Sequence, residues 1–395
     1  MSRILHALSF SKVGGVEAVF EAYLASPEAR RHEHHVLLLS GQAHAHYEST
    51  VAAHAASVHS ARQWHGLGLP RFLRPWGTRS YLSSVQPGIV IIYNQLVDRN
   101  AWQARHLSGA RLFYYERGAA WERDEPRQAI RENLDSTHKI LCNSRAAARI
   151  LALKFDVPAA RCEVIYNPLR LASLDGIRPA SSGGRFRIGM AGRMVPVKGM
   201  VIGLHALKVL LDQGAPAELV IAGSGPEANM LRDTVRRLGL GQAVTFSGVV
   251  KDMAAFYRSI DVLLCPSLRE SLGNVAVEAG AAGCPVICSA VDGLPEVVVD
   301  GVTGICIRPT LPAVEYYRMG VQRQELPSLV YDPASDSLRA PLALSPESVA
   351  AAATGFIADP SSHARMREAA VRRVGERFTM ERYMAQLESA LAAPA

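Results

Sequence analysis

The run DVLLCPSLRESLGNVAVEAGAAGCPVICSA, residues 261–290, decides the architecture. It opens with a short apolar strand-like piece, DVLLCP (261–266). A polar loop, SLRESLG (267–273), follows, then a helical pattern over 273–282, then a second apolar piece, PVICS (285–289). Strands joined by helix-length crossovers build a parallel sheet covered on both faces. The same alternation continues in both directions. Upstream lie FRIGMA (186–191), ELVIAG (218–223) and VTFSG (244–248); downstream lies TGICI (303–307). Helical patterns near 199–213, 226–239 and 251–260 separate them. The first half repeats the style with RILHAL (3–8), HHVLLLS (34–40), GIVIIY (88–93), ARLFYY (110–115), HKILCN (138–143) and CEVIYN (162–167).

A chain of 395 residues is long for one core. The Gly/Pro/Ser-rich segment 171–185 reads as a linker between two doubly wound α/β domains, 1–170 and 186–375, facing a cleft. Ligands of such sheets sit at the carboxyl ends of the strands. Residues 309–346 break the alternation as a proline-rich excursion, and 376–393 return to helical spacing. No uncharged apolar run reaches the ~18 residues of a membrane span, and the N-terminus is too short in apolar residues for a secretory leader. The cysteines at 142, 162, 265, 284, 288 and 306 lie in or beside apolar runs without a CxxC, so they are expected reduced, in a cytosolic protein. The whole net charge of +7 falls in residues 1–170. Between Ser49 and Val97 there is no acid, while Arg62, Arg71, Arg74 and Arg79 alternate with Trp64, Phe72 and Trp76. Such a stretch is either a solvated helix face or a surface for anions.

Four places carry chemistry. In GMAGRMVPVKG (189–199), Gly189 and Gly192 let a backbone approach a ligand, and Arg193 and Lys198 sit in the same loop at a helix start, which itself favours anions. Together they suit a diphosphate, although no Walker A pattern is present. GSGPEA (223–228) has the form GxGxxA, but it follows the second strand of its domain and reads better as a strand-to-helix turn than as a dinucleotide fingerprint. SKVGGVEAVF (11–20) puts Gly14 and Gly15 after the first strand, where they either wrap an anion or sugar or simply turn the chain, with Glu17 as a first-turn acid. In the opening run, Ser267 to Glu270 fits a capping box and Glu278 could be a buried partner of an arginine. The alternative places Glu270 on the loop over a ligand and Glu278 early in the helix. Each carboxylate would accept hydrogen bonds from a pair of hydroxyls, with amides near Leu272, Gly273 and Asn274 facing a diphosphate. The histidines fall at strand edges and loops and do not suggest a metal site, and no GxSxG is present.

These motifs resemble the GT4 family of GT-B glycosyltransferases. The resemblance rests on Gly192-Arg193 with Lys198-Gly199, on the spacing Glu270…Glu278 (E-x7-E), and on GCPVICSAVDGLPEVVVDGVTGI (283–305). SFSKVGGVEAVF near the N-terminus and VIYNP at the domain end add to it. It covers most of the chain except 309–346. It implies a GT-B fold of two Rossmann-like domains, with the terminal segment 376–395 crossing back onto the first. It also implies metal-independent transfer, with retention of configuration, from a nucleotide-diphosphate sugar that is a co-substrate rather than a cofactor. Arg193 and Lys198 would bind the diphosphate, Glu278 the ribose diol and Glu270 the donor sugar; Gly14 and Gly15 would close over the donor. Many relatives carry a histidine after a central strand of the first domain. Here that place reads YYERGAAW (114–121), so Glu116 and Arg117 are expected to position sugar or acceptor instead.

The expected activity is hexosyl-type transfer (EC 2.4) to a cell-envelope glycan, lipopolysaccharide or lipid-linked acceptor. The expected location is the cytoplasm, with weak contact to the inner face of an anionic membrane through 49–97. Alternatives are a GT-B phosphorylase or sugar-phosphate synthase, or an oxidoreductase resting on GSGPEA. Nucleic-acid binding is disfavoured by the neutral second half and by the absence of any such motif.

Overall fold

The computed structural model describes residues 2–11, 14–64, 67–169, 184–321 and 326–392. Most of the expected linker, 171–185, lies outside them. So do Lys12 and Val13 of the glycine turn and the last three residues of the terminal segment. The chain divides into two compact units, Met1–Pro168 with Met380–Ala395, and Leu169–Thr379.

The first unit is built on a seven-stranded sheet. Its strands are β1 (Arg3–Leu8), β2 (Glu33–Leu38), β3 (Ser57–Ser60), β4 (Ile89–Tyr93), β5 (Arg111–Glu116), β6 (Lys139–Cys142) and β7 (Cys162–Val164). They are ordered β3-β2-β1-β4-β5-β6-β7, every pair parallel. All five residues of β4 are buried, as a strand covered on both faces requires. The terminal helix Met380–Ala392 belongs to this unit, with Tyr383, Met384, Leu387 and Leu391 in one buried cluster with Phe20, Tyr23 and Tyr115. Their 3- and 4-residue spacing makes one apolar stripe.

The second unit holds six parallel strands: β8 (Phe186–Ala191), β9 (Ala217–Ala222), β10 (Val244–Gly248), β11 (Val262–Cys265), β12 (Val286–Ser289) and β13 (Gly304–Ile307). Their order is β10-β9-β8-β11-β12-β13. This is the doubly wound arrangement in which the chain reverses direction across the sheet between its first and fourth strands, here β8 and β11. The α/β class and two Rossmann-like sheets expected from the sequence are what the structure has.

The excursion 309–346 is not shapeless. Leu311–Pro312 pairs antiparallel with Leu342–Ala343, Val330–Asp332 with Ser337–Arg339, and a short helix spans Ala313–Arg318. Strands of two or three residues leave no readable period, which is why the sequence hides them.

Candidate active site

The switch point of the second sheet sets the geometry. Ile188 lies opposite Val262 and Gly189 opposite Leu263, so the turns after β8 and β11 leave the same edge side by side. The first carries Arg193 and Lys198, the second Glu270. A backbone bond from Leu268 N to Val197 O (2.9 Å) ties the turns together. Lys198 Nζ donates to Glu270 Oε2 in a half-buried ion pair. Arg193 is exposed. Two residues assigned by resemblance to different parts of a ligand are therefore partners of each other here.

Glycines make this approach possible. Gly199 has φ +65°, and a Cβ there would stand 2.2 Å from Pro266 O. Gly223 and Gly225, in the GxGxxA turn, have φ +131° and +158°; a Cβ at Gly223 would lie 1.9 Å from Gly192 O. The turn is thus a seat for the Gly192–Met194 backbone, to which Ser224 O and Ala222 O are hydrogen-bonded. That removes the structural basis for reading it as a dinucleotide fingerprint.

The loop 270–273 is clamped from the other side. Glu270 N donates to Asp292 Oδ2 (3.0 Å), and Gly293 N donates to Glu270 O (3.1 Å). The capping-box alternative fails for this reason: the amide of Glu270 is held by Asp292, and the helix Asn274–Ala281 begins after Gly273 with no side-chain cap. A helix start without a side-chain cap is suited to an anion. Leu272 is buried, so only its backbone can serve a ligand; Gly273 is buried and Asn274 half-buried. Glu278, on that helix, is 8% exposed, and its Oε2 accepts from Tyr257 Oη (2.9 Å). Burial, and then the Glu278 charge, hold the Tyr257 hydroxyl well above its ordinary pKa, so it stays a donor. Cys265, just below the loop, is pushed up to about 12 by burial and is no nucleophile.

The sequence reading missed the residues that brace both turns. Asp292 is buried with φ +48°; its Oδ1 accepts from Tyr331 N (2.7 Å) and its own N donates to Tyr331 O. Tyr316 Oη donates to Pro196 O (2.6 Å). The excursion thus holds the loop of Glu270 at one end and the loop of Lys198 at the other. The Asp-Gly pair at 292–293 was the only local signal. Glu227, quoted in the sequence but given no role, is 5% exposed; neither carboxylate oxygen has a hydrogen-bond partner, and burial raises its pKa to about 7. With Pro196, Asp233 and Arg237 it lines a cavity of about 460 Å³ behind the Lys198 turn.

In the first unit Gly14 is the N-cap of the helix Gly15–Leu24, with Glu17 buried in its first turn. A Cβ at Gly14 would stand 2.6 Å from Glu17 Oε2. Glu116 is the last residue of β5 and is buried. Its carboxylate is fully enclosed and accepts from Tyr114 Oη (2.8 Å), Gly118 N (2.6 Å) and Ala120 N (3.1 Å). It organises the turn after β5. Arg117 is also buried. It donates to Asn167 Oδ1 (2.7 Å) and to Val16 O (3.4 Å), and its Nε has no hydrogen-bond partner. It ties the start of the glycine-turn helix to the end of the unit. Among the described residues no three His, Cys, Asp or Glu side chains converge as metal ligands would.

Comparison with known proteins now bears on this geometry. "Glycosyltransferase Family 4" matches residues 13–173 and "Glycosyl transferases group 1" matches 178–315, between them well over half the chain. The chain belongs to the GT4-type glycosyltransferases. The chain is 32% identical over 221 residues to the D-inositol 3-phosphate glycosyltransferase of Streptomyces avermitilis, covering 49% of its own length and 47% of that protein. It spans about half the length of the curated relatives it matches. Its fold matches that of Anabaena HepE solved with UDP, with TM-score 0.75 and 18% identity over 99% of this chain and all of that one. The lipopolysaccharide outer core galactosyltransferase WaaB, in its apo form, gives 0.71 and 16% over 99% of each chain. At these identities the likeness establishes the GT-B fold alone.

Proposed function

We propose that this glycosyltransferase moves a hexosyl group from a nucleotide-diphosphate sugar to a cell-envelope glycan or lipid-linked acceptor, with retention of configuration and without a metal ion. The observation that carries the reading is the meeting of Lys198 and Glu270 at the switch point of the second sheet, with Arg193 exposed on the same turn as Lys198. A departing nucleoside diphosphate needs its charge balanced as the sugar acquires oxocarbenium character. Arg193, Lys198 and the helix start at Gly273 supply positive charge for that purpose. An arriving diphosphate would draw Lys198 from Glu270 and leave that carboxylate to accept from sugar hydroxyls. Glu278, oriented by Tyr257, would take the ribose diol.

Relatives support a nucleotide-sugar donor, since HepE has been solved with UDP-glucose. The envelope acceptor draws support from the galactosyltransferase WaaB, a lipopolysaccharide enzyme by its name. The first unit is the proposed acceptor unit, with Arg117 positioning the helix of Gly14 and Gly15 through Val16 O.

The test is a thermal-shift screen of UDP-, GDP- and ADP-sugars, followed by product analysis with the stabilising donor. A ligand at 100 times its dissociation constant adds about 2.7 kcal/mol, which is easily read. Transfer with retained anomeric configuration, undiminished in excess EDTA, is expected. A sugar 1-phosphate formed with inorganic phosphate and no nucleotide would assign a phosphorylase instead. Loss in EDTA with rescue by Mg²⁺ or Mn²⁺ would reject the metal-free mechanism.

A further inference from the structure

The helix Arg74–Val85 returns from β3 to β4 in the first unit. Because those strands run parallel, the helix starts at the carboxyl edge of the sheet, the edge from which the turns of Gly14 and Arg117 also leave. It buries Gly77, Thr78, Leu82 and Val85. Its start is different: Phe72 is 80% exposed, Trp76 62% and Leu73 38%. Trp76 and Arg79 stand three residues apart on the exposed side of the helix, and Phe72 is in the turn that leads into it. Arg62, Arg71 and Arg79 are exposed, and no acid occurs from Ser49 to Val97. The other large apolar side chains exposed among the described residues are aliphatic, such as Val249 and Val302. Exposed aromatics close in sequence to several exposed cations are disfavoured in water. They suit an anionic lipid interface, where an indole sits at headgroup level and arginines meet negative charge.

We propose that this unit docks on an anionic phospholipid surface, inserting Phe72 and Trp76 while Arg62, Arg71 and Arg79 engage the headgroups. The attachment goes beyond sugar transfer and does not depend on it; an inactive chain would bind equally. Each cation near such a surface is worth about a fivefold gain in partition, so three give roughly a hundredfold, an attachment that salt reverses.

The full chain is sedimented with vesicles of phosphatidylcholine alone or with about one-third phosphatidylglycerol. Binding at least about tenfold stronger to the anionic vesicles, and lost in high salt, is expected. Arg71→Ser with Arg79→Ser should weaken it by about 25-fold, and Phe72→Ser with Trp76→Ser should abolish it, all at unchanged melting temperature. Should the aromatic pair fail to fold, Phe72→Ser alone serves, with the emission of Trp76 as reporter. A blue shift on anionic vesicles that Trp76→Phe removes supports docking. Equal binding to both vesicle types, or no loss in the variants, overturns it. So does a wild-type dimer in sedimentation velocity that Phe72→Ser dissolves, because the patch would then belong to a second copy of the chain.

Discussion

Glu270 and Glu116 hold corresponding places in the two units. Glu116 ends a strand near the centre of its parallel sheet and Glu270 lies in the loop after one, at the edge where ligands of such sheets bind. Their surroundings make them opposites. Glu270 is half-buried and faces one flexible cation, Lys198, which a ligand can displace. Glu116 is enclosed and accepts from a tyrosine hydroxyl and two backbone amides that cannot leave. The same topology thus carries a displaceable ion pair in one unit and a carboxylate held by fixed donors in the other. The number and mobility of hydrogen-bond donors decide between them. Glu227 completes the series as a buried carboxylate with no donor at all.

The comparison breaks first at Glu116. Glu116→Ala leaves three buried donors unpaired, each costing about 1–3 kcal/mol, so a loss of at least about 3 kcal/mol is expected in urea unfolding. A variant that stays fully stable but loses transfer would return Glu116 to the substrate.

On the other side, Lys198→Ala or Arg193→Ala should lower turnover by roughly 10²–10³ with the melting temperature little changed, as removal of one donor to a developing charge does. Activity within a few-fold of the parent would take these cations out of the site.

Glu227 sharpens the rule through pH. Burial raises its folded pKa to about 7 from the ordinary 4.5. Between those values the unfolded chain has released the proton and the folded chain keeps it, so stability falls as pH rises through the window. Above pH 7 the cost levels off at about 3 kcal/mol. Glu227→Gln should therefore be the more stable form at pH 8, with most of its advantage gone at pH 5. Parallel urea midpoints for the two proteins across that range would reject an ionisable penalty at this position.

The smallest effect separates the two carboxylates of the proposed site. Glu278→Gln should weaken the free nucleoside diphosphate about tenfold, the worth of one charge-assisted bond. Glu270→Gln should weaken the intact donor while leaving the nucleotide nearly untouched. Calorimetry in which both variants affect nucleotide and donor alike would erase the proposed division.

The alternation of apolar strands and helix-length crossovers, read from runs such as GIVIIY and DVLLCP, determined by itself that both sheets are parallel and doubly wound. A strand buried on both faces must be apolar throughout, and that is a local property. The loops bearing Arg193, Lys198 and Glu270, and the helix of Glu278 that follows, were legible for a similar reason: glycine, cation and carboxylate stand at short spacing beside a strand end. What those side chains touch was not legible. Glu116 and Glu270 look alike in sequence, and only the turn around each decides how many donors it meets. The bracing of both turns by Tyr316, Asp292 and Tyr331 joins residues 22 to 120 positions apart, through strands too short to carry a period. The glycines of GSGPEA fit a nucleotide fingerprint on paper. In the fold, the backbone of Gly192 occupies the space they leave, because whether a missing Cβ admits a ligand or another piece of chain depends on what packs above it.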